Sequence, residues 1–145
     1  MDITLRPASV SDHAFVHELN RAAYEALAVR LFGAWDDRVK RERLAAKLGR
    51  GGYRIIELAG QAIGAISTAA HGDHIHIDDL MLLPRFQRQG IGSRVLRMEI
   101  ARAKASNKPL RLHTSRMSDA QHFYRLHGFT ETGRSDDFID FEKRG

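Results

Sequence analysis

Cysteine is missing from this chain altogether. That absence excludes disulfides, thiolate zinc sites and cysteine nucleophiles together. Long apolar runs are missing too. Nothing approaches the roughly 18 consecutive apolar residues that a membrane-spanning helix needs. The opening MDITLRPA also lacks the apolar centre of a signal peptide, so the expected location is cytoplasmic and no membrane partner is expected. No low-complexity run or repeat appears, and no basic run is interleaved with aromatics for stacking on bases. The net charge of +5, from 23 Lys+Arg against 18 Asp+Glu, is dispersed along the chain. A basic protein can bind nucleic acid, but dispersed charge argues against that partner. What is present is 145 residues of ordinary globular composition. That is long enough for a real core and is expected to form one domain, 1–145.

A strand is expected at Ile3 to Arg6. Ser11 is the expected N-cap of a helix reaching Arg30, with Phe15, Val16, Leu19, Ala23, Leu27 and Leu31 on one face. A second helix is expected from Asp37 to Leu48. The segments 53–58 and 61–68 read as a hairpin turning at Ala59-Gly60. His74 to Leu83 is a fourth strand and residues 90–106 a helix. Pro109 to Thr114 is a fifth strand, Ser118 to His127 a helix stopped by Gly128, and the last strand or strands lie between Phe129 and Glu142. This order describes an α/β protein with a mixed sheet.

The segment LMLLPRFQRQGIGS, Leu80 to Ser93, carries the most chemistry. An apolar strand closes at Pro84. Gln87, Gly90 and Gly92 follow, and then a long helical pattern. Glycines let backbone N–H groups approach an anion, and a helix N-terminus adds unpaired donors and a positive dipole end. The dinucleotide fingerprint requires a third glycine and an acidic residue about 20 positions on, whereas here the helix runs out in Lys104 and Lys108. The NTPase loop requires a lysine directly after its last glycine, and none follows Gly92. An ordinary strand-to-helix turn remains the alternative on this segment alone.

Three blocks together carry a family resemblance. The loop resembles the Gln/Arg-x-x-Gly-x-Gly/Ala pyrophosphate loop of the GNAT superfamily of acetyl-CoA-dependent N-acetyltransferases. AQHFYRLHGF, from Ala120 to Phe129, is similar to that family's Ala-x-x-Phe/Leu-Tyr helix ending in Gly-Phe. ITLRPASVSDHAFVHEL at the front is similar to its first strand and helix. The blocks stand in the family's order and cover nearly the whole chain. The resemblance implies a single-domain GNAT fold: a mixed, mostly antiparallel sheet of six to seven strands, about four helices and a splayed fourth strand. It also implies acetyl-CoA as co-substrate, whose negative charges suit part of the basic excess, and an amine acceptor. Dimers are common among proteins resembling this one, so a homodimer is among the assemblies implied.

The resemblance further assigns roles. The main chain of Leu80, Met81 and Leu82 would pair with the pantetheine arm. The N–H groups of Arg88, Gln89, Gly90, Ile91, Gly92 and Ser93 would surround the pyrophosphate, with a main-chain N–H near Leu82 polarising the thioester. Tyr124, in the family's Tyr-x-x-x-Gly-Phe pattern, would protonate the leaving thiolate, although Met117 replaces an asparagine often found seven residues before that tyrosine. Asp78, where related members carry glutamate, would act as base, with His76 as the other candidate; both share one strand face with His74 by period two. The same three groups could in principle hold a metal, but acyl transfer to an amine needs none, and no metal is expected. Tyr24, Phe32 and Trp35, near Asp36 and Asp37, would form the acceptor pocket and would suit a cationic amine. Phe32 and Trp35 as core, with the two aspartates merely starting a helix, is the plainer alternative. A non-catalytic acyl-CoA sensor and a protein N-terminal or lysine acetyltransferase stand beside the favoured small-molecule enzyme.

Overall fold

The computed structural model describes residues 2–145. Seven strands and four α-helices follow one another along them: β1 (Ile3–Pro7), α1 (His13–Phe32), α2 (Asp37–Gly49), β2 (Arg54–Leu58), β3 (Gln61–Ala70), β4 (Ile75–Leu82), α3 (Ile91–Ala105), β5 (Leu110–Ser115), α4 (Ala120–Leu126), β6 (Thr130–Arg134) and β7 (Phe138–Lys143). The strands form one sheet in the order β1-β2-β3-β4-β5-β7-β6. The pairs β1·β2, β2·β3, β5·β7 and β6·β7 are antiparallel, while β4·β5 is parallel. A parallel pair requires a crossover, and α3 supplies it. The β4·β5 ladder runs from Ile75↔Leu110 to Ile77↔Leu112 and ends there, as a splayed fourth strand requires. Among the described residues no helix is long and apolar enough to cross a membrane.

The chain divides into two compact units. The first comprises Met1–Ser67 and Asp79–Gln89. Its core gathers Val16 and Leu19 of α1, Leu44 and Leu48 of α2, and Tyr53, Ile55, Ala65 and Met81. Leu44 and Leu48 meet that core because a spacing of four keeps them on one helix face. The β2–β3 hairpin turns through Ala59 (φ 50°) and Gly60 (φ 82°), the left-handed pair that suits the twist of a two-residue hairpin. The start of α1 differs from the expectation of an N-cap at Ser11. A 3₁₀ turn occupies Val10–Asp12 and α1 begins at His13. The cause is Asp12, whose carboxylate accepts the Ser9 N–H at 2.9 Å and pairs with Arg6 at 2.9 Å.

The second unit comprises Thr68–Asp78 and Gly90–Gly145. Along α3 the buried residues are Ile91, Val95, Leu96, Glu99 and Ala103, a single stripe at helical spacing. Leu110 and Leu112 of β5 and Ile139 and Phe141 of β7 are buried in alternation. Arg102 lies 3.2 Å from the buried Glu99 carboxylate.

Candidate active site

The loop after β4 is tied to itself. A 3₁₀ turn spans Pro84–Phe86, and the Gln87 side-chain amide donates to the Leu82 carbonyl at 3.0 Å. The Gln89 amide likewise donates to the Arg85 carbonyl at 2.6 Å. Arg88 (φ 61°) and Gly90 (φ 81°) are left-handed, a conformation that costs Arg88 strain and Gly90 little. The first α3 bond runs from Arg94 N to Gly90 O at 3.1 Å. Among the described residues, the main-chain N–H groups from Arg88 to Ser93 take no hydrogen-bond partner. No acidic side chain lies in the first turn of α3, and Gly90 supplies no side-chain cap. Consecutive free donors at a helix N-terminus are what an anion binds.

In the first unit, a cavity of about 350 Å³ is lined by α1, α2, one residue of β4 and the loops before α2 and β2. Helix α1 contributes His17, Asn20 and Tyr24, at spacings of three and four. Helix α2 contributes Lys40, Arg43, Leu44 and Lys47, again one helical face. Trp35, Tyr53 and Asp79 complete the lining. The Tyr53 hydroxyl donates to Asp79 Oδ2 at 2.8 Å, and Lys47 Nζ is 4.0 Å from the same oxygen. Lys40 Nζ sits over the Trp35 ring, 5.1 Å from its centroid. The structure thus brings Tyr24 and Trp35 together as lining residues, whereas Phe32 is 71% exposed and is not among them.

The two aspartates expected beside this pocket are committed elsewhere. Asp36 caps α2, accepting the Val39 N–H at 3.2 Å. Asp37 accepts Arg41 at 2.7 Å, Trp35 Nε1 at 3.2 Å and His17 Nε2 at 2.8 Å. The Arg41 hydrogen bond, then those of Trp35 and His17, hold its carboxyl far below the usual range. His17 is 1% exposed, and its Nδ1 has no hydrogen-bond partner among the described residues.

On β4, burial alternates. Ile75, Ile77 and Met81 are buried, Asp79 half-buried, and Asp78 exposed. Asp78 accepts His76 Nδ1 at 2.7 Å, and the His76 ring lies 5.4 Å from that of His113. Leu80 and Leu82 are half-buried. His74 is drawn to Asp73 at 2.6 Å, and among the described residues no three His, Asp or Glu side chains gather as a metal site.

In the second unit, the half-buried Tyr124 packs among Phe123, Phe129 and Phe141, at centroid distances of 5.2, 5.8 and 6.2 Å. Gly128, at φ 88°, ends α4 and turns the chain so that Phe129 N bonds Tyr124 O at 3.1 Å. His127 Nε2 lies 3.0 Å from Ser93 Oγ, tying the end of α4 to the start of α3. Desolvation, with a smaller effect from Arg97, lowers the His127 pKa.

Asp79, Tyr53, His17 and the α2 cations were not singled out from sequence, although each left a trace. Asp79 follows Ile75 and Ile77 on the apolar face of β4, where a carboxylate needs a partner. His17, Asn20 and Tyr24 form a polar and aromatic stripe at helical spacing.

The family model for the acetyltransferase (GNAT) domain matches residues 49–131. No curated protein sequence is a significant match. Among solved structures, PaiA N-acetyltransferase from Thermoplasma acidophilum, in complex with coenzyme A, has a TM-score of 0.77 at 19% identity, covering 100% of both chains. An acetyltransferase from Thermus thermophilus gives 0.79 at 14% identity, covering 99% of this chain and 97% of that one. Arabidopsis thaliana Naa50, in complex with the bisubstrate analogue CoA-Ac-MVNAL, gives 0.71 at 20%, covering 100% of both. At such identities these likenesses speak for the fold. The family model, which spans more than half of the residues and includes the loop from Gln87 to Ser93, speaks for descent: the chain belongs to the GNAT acetyltransferases.

Proposed function

We propose that residues 1–145 work as one N-acetyltransferase domain that moves the acetyl group of acetyl-CoA onto the primary amine of a small molecule. The observation that carries this reading is the row of unpartnered main-chain donors from Arg88 to Ser93, on a chain of this family. The pyrophosphate of acetyl-CoA binds that row, and the main chain of Leu80, Met81 and Leu82 receives the pantetheine arm. The cavity of about 350 Å³ beside α1 and α2 has the size of a small-molecule site, which favours a small acceptor over a protein N-terminus or lysine.

The amine nitrogen attacks the thioester carbonyl carbon. The resulting oxyanion is stabilised by a main-chain N–H near Leu82, and the tetrahedral intermediate collapses with cleavage of the C–S bond. The nitrogen gives up a proton and the departing thiolate takes one. Tyr124 supplies the latter, since a phenol with pKa about 10 is a competent donor to a thiolate whose conjugate acid has a pKa of about 8.5 when the two touch. Asp79, on the cavity wall, receives the ammonium end of the acceptor and takes its proton, directly or through water. A second reading gives that task to Asp78 with His76, and the 2.7 Å contact between them favours it, because a carboxylate orients an imidazole for proton transfer.

Calorimetric titration with acetyl-CoA and free-thiol release across an amine panel test the proposal. Binding without thiol release for any amine would leave a sensor, and no binding would sink the reading. Tyr124→Phe is expected to lower kcat about a hundredfold or more while leaving CoA affinity within about twofold. Asp79→Asn and His76→Gln separate the two bases, as only removal of the true base abolishes the acidic limb of the kcat/KM profile.

A further inference from the structure

The cavity beside α1 and α2 has a charge pattern that the acetyltransferase reading does not require. Three side chains from one face of α2, Lys40, Arg43 and Lys47, line it, against one carboxylate, Asp79. Lys47 is engaged with Asp79 and with the Tyr53 ring, 4.8 Å away. Lys40 lies over Trp35. Arg43 is exposed and, among the described residues, has no hydrogen-bond or ion-pair partner. The nearby acids do not offset these cations, because Asp36 caps a helix and Asp37 is held by Arg41, Trp35 and His17. A purely cationic acceptor such as a diamine would therefore enter against excess positive charge.

We infer that the acceptor is an amine carrying an anionic group, a carboxylate or a phosphate, with the anion received by Arg43 and Lys40 and the amine by Asp79. The inference rests on the acetyltransferase reading for the word acceptor, but the ligand chemistry follows from the cavity alone. Arginine suits the role because its planar fork binds carboxylate or phosphate oxygens two at a time.

The chain's one tryptophan, Trp35, lines this cavity, so its fluorescence reports entry without turnover. Wild-type protein with saturating CoA is titrated with β-alanine, phosphoethanolamine, propylamine and putrescine. At least one of the two anionic amines is expected to bind ten times or more tighter than propylamine, about 1.4 kcal/mol, and the tighter of the two names the anion. Putrescine is expected to bind weakest. Arg43→Gln should weaken the anionic amine about tenfold and propylamine less than twofold, and Arg43→Glu should reverse the order in favour of putrescine. Arg38→Gln, on an exposed part of α2 outside the cavity, should change none of these values and so controls for bulk charge. Tighter putrescine than anionic amine, no response to either anionic amine, or equal losses for charged and neutral amines in Arg43→Gln would overturn the inference. Anion-selective binding without thiol release from acetyl-CoA would uphold it and remove the transferase reading instead.

Discussion

Gly64 on β3 stands where no side chain fits. A Cβ there would lie 2.3 Å from the Met81 carbonyl oxygen and 3.2 Å from the Leu82 Cα. Both are main-chain atoms, so no rotamer change relieves the clash and β4 itself must move. Gly64→Ala is therefore expected to cost about 1–3 kcal/mol of stability. It should also raise the KM for acetyl-CoA, because the displaced residues are those assigned to the pantetheine arm. Gly49→Ala provides the contrast. A Cβ at this helical position meets nothing within 4 Å, and the change should stabilise by about 0.5–1 kcal/mol. Thermal melts of the two variants, with acetyl-CoA kinetics for the first, check both; a Gly64→Ala protein as stable as the parent would remove the argument. Gly64 also marks a limit of the sequence. A glycine inside the pattern QAIGAIST signals a bulge or a close approach, but which backbone approaches depends on strand order.

At the scale of elements, period and punctuation carried most of the information. The hairpin was legible because Ala59-Gly60 separates two apolar runs, and α4 because Gly128 stops it. α1 was legible as a helix, while its buried face was misjudged: Ala23 is exposed and His17 is buried. Hydrophobicity alone placed His17 outside, but the Asp37 carboxylate 2.8 Å away satisfies its Nε2 and permits burial. That partner comes from the next helix, beyond the reach of any periodic reading. β6 provides an electrostatic prediction of a more local kind. Glu131 is bonded by Arg134 at 2.7 Å and by Arg125 of α4 at 3.2 Å. These two arginines, Arg134 first, lower its pKa from 4.5 to about 2. A carboxylate with a depressed folded-state pKa binds more protons when unfolded, so its contribution is complete above about 4.5 and disappears as pH falls toward about 2. Exposure and screening keep the effect small. Urea midpoints at pH 5 and pH 2.5 should fall further apart in the parent than in Glu131→Gln; equal separations would show that these pairs do not couple to folding.

For the whole molecule, the proposed function divides recognition between the loop and the cavity. The loop was legible as a candidate phosphate site because a site built from main-chain N–H groups needs glycine, and glycine shows in a sequence. The cavity proposed for the acceptor was only partly legible, since its walls are side chains from two helices, one strand and the loops before α2 and β2, and its net charge depends on which acids are already paired. Tyr24 and Trp35 were expected there and line the cavity, whereas Asp79 and the α2 cations emerge only when partners are assigned. β3 and β4 each contain residues of both compact units, so melting one unit alone would require breaking a strand in mid-run. Both units are therefore expected to unfold in one transition. Acetyl-CoA, bound to the folded chain and not to the unfolded one, should raise that transition as a whole. At a hundred times its Kd the gain is about 2.7 kcal/mol, which for a chain of this length corresponds to a rise in Tm of roughly 5–10 °C. Trp35 fluorescence reports the first unit and far-UV circular dichroism the entire chain. The two melting curves should coincide with and without acetyl-CoA and shift together; a fluorescence transition that stays in place while the dichroism moves would show that the units respond separately.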